Sequence, residues 1–154
     1  MTGRVEARLQ SEGIELPRLM GLQASYIPVV ELPGILHIAP QMPLVAGKLV
    51  WHGRVGHECN IDQAAEASAL CTRLILSVAR VQLGDLDRIR QVVRLGLFVR
   101  CSDGFGEFDG VAAGVIGVMS RAFEGFSVGT LTILGVPALP YGVPVALEAI
   151  LDIS

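Results

Sequence analysis

The run Gly84-Asp85-Leu86-Asp87-Arg88-Ile89-Arg90-Gln91-Val92-Val93-Arg94-Leu95-Gly96-Leu97-Phe98-Val99 decides the fold. Gly84 is free to take a left-handed backbone and so closes the helix before it. Asp85-Leu86-Asp87-Arg88 sets two carboxylates beside an arginine, a helix–strand corner held by local charge pairs. From Val92 to Val99 the β-branched and aromatic content marks a long, well-buried strand.

Upstream lies a helix that opens at Asn60. Its side chain can accept from the amide three residues on, where Gln63 completes a capping-box pattern. Ala64, Ala67, Cys71, Leu74, Val78 and Val81 recur at steps of three and four and form one helical face. Downstream, a second helix over about 109–123 packs Val111, Val115, Val118, Met119 and Ala122 on one side. Gly110, Gly114 and Gly117 each cost that helix about 1 kcal/mol relative to Ala, so packing must hold it.

Strands over about 130–136 and 145–153 follow, joined through Leu139-Pro140-Tyr141-Gly142. Nearer the start, Tyr26-Ile27-Pro28-Val29-Val30 and Ile35-Leu36-His37-Ile38 read as a hairpin turning at Glu31-Leu32-Pro33-Gly34. Residues 39–58 read as a loop with one short strand, Lys48-Leu49-Val50-Trp51. Residues 1–22 read as helical, then irregular, with Pro17 closing the segment. The order β-β-(β)-α-β-α-β-β implies an α+β sheet with helices on one face.

The chain has 154 residues, which suits one domain over 1–154, with 1–22 as an N-terminal extension and 24–153 as core. It is 51% hydrophobic and 18% charged, with mean hydropathy +0.55, so intrinsic disorder is excluded. Such a chain fills a sizeable core or hides apolar surface in an oligomer. A net charge of −3 argues against a polyanion-binding surface and hence against nucleic acid. Three widely spaced cysteines make no disulfide framework and fit a reducing cytosol. The charged start Met1-Thr2-Gly3-Arg4-Val5-Glu6 lacks the apolar core of a signal peptide, so a cytoplasmic location is expected. The uncharged run from Gly125 to Leu147 is long enough to span a bilayer, but its glycines and prolines argue for two strands around a turn.

Catalytic motifs of the common kinds are missing. Gly104-Phe105-Gly106-Glu107-Phe108-Asp109-Gly110 only imitates a dinucleotide-binding fingerprint. His57-Glu58-Cys59 places three ligand types together, yet adjacent residues seldom converge on one ion and no distant pair completes them, so no metal is expected. His37 and His52 read as hydrogen-bonded structural residues, and Cys71 and Cys101 as small core residues.

Four loose motifs in register bring a family into view. Gly84–Val99 resembles the corresponding stretch of the Rid (YjgF-type) family, and so do Gly135-Val136-Pro137-Ala138-Leu139-Pro140 and Val143-Pro144-Val145-Ala146-Leu147-Glu148-Ala149-Ile150. Tyr26 and Gln41-Met42-Pro43 match, in order and spacing, that family's early tyrosine and its S-G-Q-x-P loop. The resemblance spans about residues 24–153. It implies a chorismate-mutase-like fold, a mixed sheet with two helices on one face, and a homotrimer with three intersubunit clefts that bind small molecules and need no cofactor. Members with the deaminase site hydrolyse reactive enamines and imines to 2-keto acids and ammonia; some relatives carry an older endoribonuclease label.

The chain departs from that pattern in one direction. The position of the carboxylate-binding arginine falls on Leu131, and the small polar residue or cysteine two further on is Ile133. The acid that positions water falls on Ala146, leaving Glu148 as the surviving acid of V-E-x-E. Ala39 and Pro40 replace the serine and glycine before Gln41, and the polar end of an N-G-x-S-D run is gone around Ala113. An arginine fork on a carboxylate contributes about 1.5–3 kcal/mol. With the uncompensated desolvation of an anion added, its loss costs on the order of 10²–10⁴-fold in transition-state affinity.

Three readings follow. One is a non-catalytic Rid-fold trimer whose clefts bind a small, weakly polar metabolite or a partner, with Tyr26, Gln41, Leu131 and Ile133 lining the cleft. Another is an imine or enamine hydrolase with an uncharged or ring-containing substrate, in which Glu148 transfers the proton. RNA cleavage rests only on the older family label and is opposed by the charge.

Overall fold

The computed structural model describes residues 2–19, 28–125 and 129–154. Five strands make one sheet in the order β1-β2-β7-β5-β6. They are β1 (Val29–Leu32), β2 (Ile35–Gln41), β5 (Ile89–Arg100), β6 (Thr130–Val136) and β7 (Val145–Ile153). β3 (Leu44–Val45) and β4 (Lys48–Leu49) form a separate small hairpin. The helices are α1 (Arg4–Ser11), α2 (Ile61–Leu83) and α3 (Phe108–Ala122). β5 and β6 run parallel across α3, and every other neighbour in the large sheet is antiparallel. The expected mixed α+β sheet is what the chain forms.

The helix limits follow from the caps. The Asn60 side chain accepts from the Gln63 amide at 2.8 Å, the Gln63 side chain accepts from the Asn60 amide at 2.9 Å, and Gly84 closes α2 with φ 78°. α2 lies over β2 and β7 and packs along α3. The two helices meet closely at Gly114, where a Cβ would collide with the Ala65 carbonyl oxygen and the Ser68 hydroxyl. Ser68 Oγ donates to the Val111 carbonyl across the same seam at 2.7 Å. The helix therefore tolerates its glycines because one of them permits this contact. The uncharged run after Gly125 contains β6, a 3₁₀ turn over Pro140–Gly142 and the start of β7, and among the described residues no helix is long and apolar enough to cross a membrane.

Two local expectations need correction, and a third falls outside the described residues. Glu31 and Leu32 belong to β1, opposite Leu36 and Ile35, so the turn is only Pro33-Gly34, with Gly34 at φ 79°. Tyr26 and Ile27, expected to begin that strand, lie outside the described residues. The short strand near Lys48 is half of a hairpin: it pairs with Leu44-Val45 through Ala46 (φ 52°) and Gly47 (φ 77°), the two positive φ values that suit a two-residue loop.

The corner at 85–88 is held from a distance. Asp87 accepts from the backbone amides of Arg4 and Val5, each at 2.9 Å, while Arg88 reaches Glu31 at 3.2 Å. Asp87 thus caps α1, whose own N-cap Gly3 supplies no side chain for the purpose. Val5 and Leu9 of α1 are buried in the same cluster as the α2, α3 and sheet residues.

Alternation divides the sheet. Leu95, Leu97 and Val99 of β5 lie opposite Ala149, Leu147 and Val145 of β7, all fully buried beneath the helices. Arg94, Gly96, Phe98 and Arg100 face the other way, with Ala146, Glu148 and Ile150 beside them and Leu134 and Val136 on β6. Among the described residues, no helix packs on this second face.

Two stability measurements test this account. Gly114→Ala should lower the unfolding free energy by about 2 kcal/mol through overpacking, whereas Gly117→Ala, whose Cβ meets only Arg121 at 3.9 Å, should raise it by up to about 1 kcal/mol in urea titrations. Asp87→Asn should expose the Arg4 and Val5 amides to hydrogen exchange and weaken the fold by about 1 kcal/mol. The Val5 and Arg4 amides hold the Asp87 carboxyl below its usual range. Its contribution is therefore complete above the unfolded value, about pH 4, and disappears as pH falls through the folded one; the variant should lack that slope.

Candidate functional site

Glu148 sits at the middle of β7 on the helix-free face, opposite Gly96. Its Oε1 accepts from Arg94 Nη1 at 2.7 Å, with the two side chains 21% and 33% exposed. Gly96 makes the pair possible, since a Cβ there would stand 2.8 Å from Glu148 Oε1 and 3.1 Å from Arg94 Nη1. Ala146 and Glu148 share this face, as their spacing along the strand requires. The carboxylate is mostly covered, with one oxygen committed to a guanidinium.

Leu131 and Ile133 lie on β6 opposite Leu95 and Leu97, which turns them toward the helix side. Both are partly exposed and pack against the central cluster. They stand on the opposite face of the sheet from Glu148. Beyond them on the same side, Gly135 gives room to Cys101 Sγ and the Phe108 ring, and Phe108 meets Phe105 edge-on at 5.2 Å.

Gln41 ends β2 after a bulge and lies opposite Leu147. Its Nε2 donates to the Ala39 carbonyl at 2.9 Å, so the side chain braces its own loop. The remainder of Gln41 borders a cavity of about 670 Å³ between this loop, α2 and the segment after α1. Leu16, Met42, Leu44, Trp51 and Leu74 give that cavity apolar walls, and Arg73 at its edge donates to the Glu15 carbonyl at 3.4 Å. β7 and β5 separate β2 from β6, about 14 Å at the usual strand spacing. Gln41, Glu148 and the Leu131–Ile133 pair thus occupy three separate places in one chain, and Tyr26 lies outside the described residues.

The His57-Glu58-Cys59 run serves its own turn. Glu58 Oε2 accepts from the Arg54 amide at 2.8 Å and Oε1 lies 3.0 Å from His57 Nδ1. Chiefly through that Arg54 amide, its carboxyl is lowered to about 2. Burial pushes the Cys59 and Cys71 thiols up, which keeps both protonated and poorly nucleophilic. Among the described residues no group of three or more His, Cys, Asp or Glu side chains could hold a metal ion.

The chain is 32% identical to Protein TCP17 of Trypanosoma cruzi, over 99% of this chain and 96% of that protein. Among solved structures it is similar to Atu1372 of Agrobacterium tumefaciens, described as of unknown function (29% identity, TM-score 0.84, covering 97% of this chain and 94% of that one). A protein of Shewanella oneidensis MR-1 superposes with TM-score 0.88 at 22% identity, covering 97% and 99%. YyfA of Yersinia pestis, described as a Rid-family protein of unknown function, superposes with TM-score 0.60 at 20% identity, covering 86% and 90%. The chain has the fold of the Rid (YjgF-type) proteins. No family model matches it.

On this Rid fold, sequence reasoning overlooked two arginines. Arg94 and Arg100 fall on the same face of β5 as Glu148, and period-two counting along the strand was the signal that could have found them. The Arg94–Glu148 pair is open enough to solvent that its coupling should be modest. A double-mutant cycle of Arg94→Gln and Glu148→Gln in urea unfolding should return about 0.5–1.5 kcal/mol, and a value near zero would show that the contact does not persist in solution.

Proposed function

We propose that this Rid-fold protein is a homotrimer that binds a small, weakly polar metabolite, and that it does not hydrolyse 2-imino acids by the arginine-dependent route. The observation that carries the reading is the cavity beside Gln41. Its size falls in the range of small-molecule sites, and its walls are mostly apolar with few polar groups. Leu131 and Ile133 support the second half of the proposal: both rest on the apolar cluster where the resemblance places a guanidinium and a small polar residue.

Assembly is supported by the helix-free face. Phe98, Ile150, Val136 and the half-exposed Leu134 lie together there, and among the described residues no helix lies above them. An apolar surface of that kind marks an interaction site. A trimer would also let the groups that one chain holds apart meet across a subunit boundary.

The hydrolase reading keeps Glu148 as proton carrier, because its second carboxylate oxygen has no hydrogen-bond partner among the described residues. In that case the substrate is uncharged or ring-containing, since the cleft at Leu131 offers an anion no compensating charge.

Two measurements test the proposal. Purified protein given 2-iminobutanoate generated in place should release 2-oxobutanoate no faster than the uncatalysed reaction, and a rate matching arginine-bearing relatives would overturn the reading. Trp51, the sole tryptophan, lines the cavity and reports on it directly. Cyclohexanol should give a saturable change in its emission, weakened about tenfold or more in Leu74→Glu, which places a carboxylate in the wall.

A further inference from the structure

A second copy laid over the helix-free face covers its charges along with its apolar groups. The apolar part runs from one edge of the sheet to the other, through Val30, Leu32, Ile150, Phe98, Leu134 and Val136. Arg94 and Arg100 stand among these residues on β5. Arg94 has Glu148 at 2.7 Å. Arg100 has no acid beside it: its backbone amide bonds the Pro144 carbonyl at 2.8 Å, and the β7 side chains on its face begin at Ala146.

The Arg100 guanidinium is nevertheless fixed. Nη1 donates to the Gly142 carbonyl at 3.3 Å, beyond the start of β7. Nε is sealed from solvent and has no partner among the described residues. Nη2 has no partner there either, but it is not sealed. A guanidinium cannot shed its proton, so covering this face without supplying an anion would strand a desolvated charge.

The strands present two acids on the same face, Asp152 and Glu148. Both Asp152 oxygens are taken, Oδ1 by Arg90 at 2.7 Å and Oδ2 by Gln91 at 3.4 Å. Glu148 commits Oε1 to Arg94, and its Oε2 has no partner among the described residues. A carboxylate offers lone pairs enough for two guanidinium groups. Within one chain the two cannot meet. Glu148 stands opposite Gly96, four residues or about 13 Å along the strand from Arg100, whose side chain is tied to Gly142.

We propose that Arg100 of each copy binds Glu148 Oε2 of the next copy, in the homotrimer on which this inference rests. One carboxylate then bridges two guanidinium groups, Arg94 of its own chain and Arg100 of the neighbour. Donor and acceptor occupy different points of one surface, so the contact runs head to tail and closes into a ring. The apolar residues around it exclude water and strengthen the attraction. The bridge also occupies the oxygen that the hydrolase reading needs free.

Sedimentation of the full-length protein over a range of concentrations gives the midpoint of trimer formation. Glu148→Gln strips two arginines of their partner and should raise that midpoint about tenfold or more. Arg100→Gln should raise it in the parent but lower it in the Glu148→Gln protein, where it removes an unpaired cation. Arg100→Lys, which keeps the charge and loses the fork, should fall between the parent and Arg100→Gln. Far-UV circular dichroism checks that each variant is folded. If Glu148→Gln does not fold, Arg100→Glu takes its place: it sets two carboxylates together and should exceed Arg100→Gln by about tenfold, equal midpoints overturning the bridge. If the parent stays trimeric at every concentration, subunit exchange between ¹⁵N-labelled and unlabelled protein replaces the midpoint, with faster exchange in the same order of variants. A change of equal factor for Arg100→Gln with and without Glu148 would overturn the bridge and leave the trimer standing. A parent that forms no trimer at any concentration would overturn both.

Discussion

The twelve-residue β5 is bonded on one side to β7 and, over Arg94–Arg100, on the other to β6, and the alternation along it separates two chemistries. Leu95, Leu97 and Val99 enter the densely packed core beneath α2 and α3. Arg94, Phe98 and Arg100 leave on the opposite face. A slip of one residue in this seam would bury the arginines and expose the leucines, so the register with β7 is fixed by burial. Everything of functional interest on the helix-free face takes its position from that register.

The helices are subordinate to this seam but not passive. α2 can lie flat over β2 and β7 because α3 approaches it at Gly114 without a side chain in the way. The hydroxyl of Ser68 then finds the Val111 carbonyl and leaves no orphaned polar group in the contact. The loop after β2 carries Gln41 to the rim of a cavity whose other walls come from α2 and the segment beyond α1. The same chain thus builds an apolar recess at one edge of the sheet and a line of guanidinium groups on its reverse.

Much of the fold was legible because its signals are local. Asn60 and Gln63 cap one another within a single turn, Gly84 ends the helix they begin, and prolines and glycines bracket β6 and β7 where the alternation stops. What escaped was non-local. Asp87 and Arg88 stand side by side and read as a charged corner, yet their partners are Arg4 and Glu31, brought there only by the finished fold. The candidate site was harder still. Glu148, Leu131 and Gln41 were grouped by family pattern, while strand order and facing decide proximity and place them apart. β3 was missed because two residues give no periodicity to count, and only the positive φ values at Ala46 and Gly47 betray the hairpin.

The cap that Asp87 provides to α1 has a consequence for the order in which the chain folds. Eight residues are too few for a helix to persist alone in water, and α1 begins at a glycine that cannot satisfy its first amides. It emerges from the ribosome long before Asp87 does. Until that carboxylate arrives, Val5 and Leu9 have neither a helix to align them nor a core to enter. α1 therefore settles only after the corner at 85–88 has formed, long after its own residues have been made.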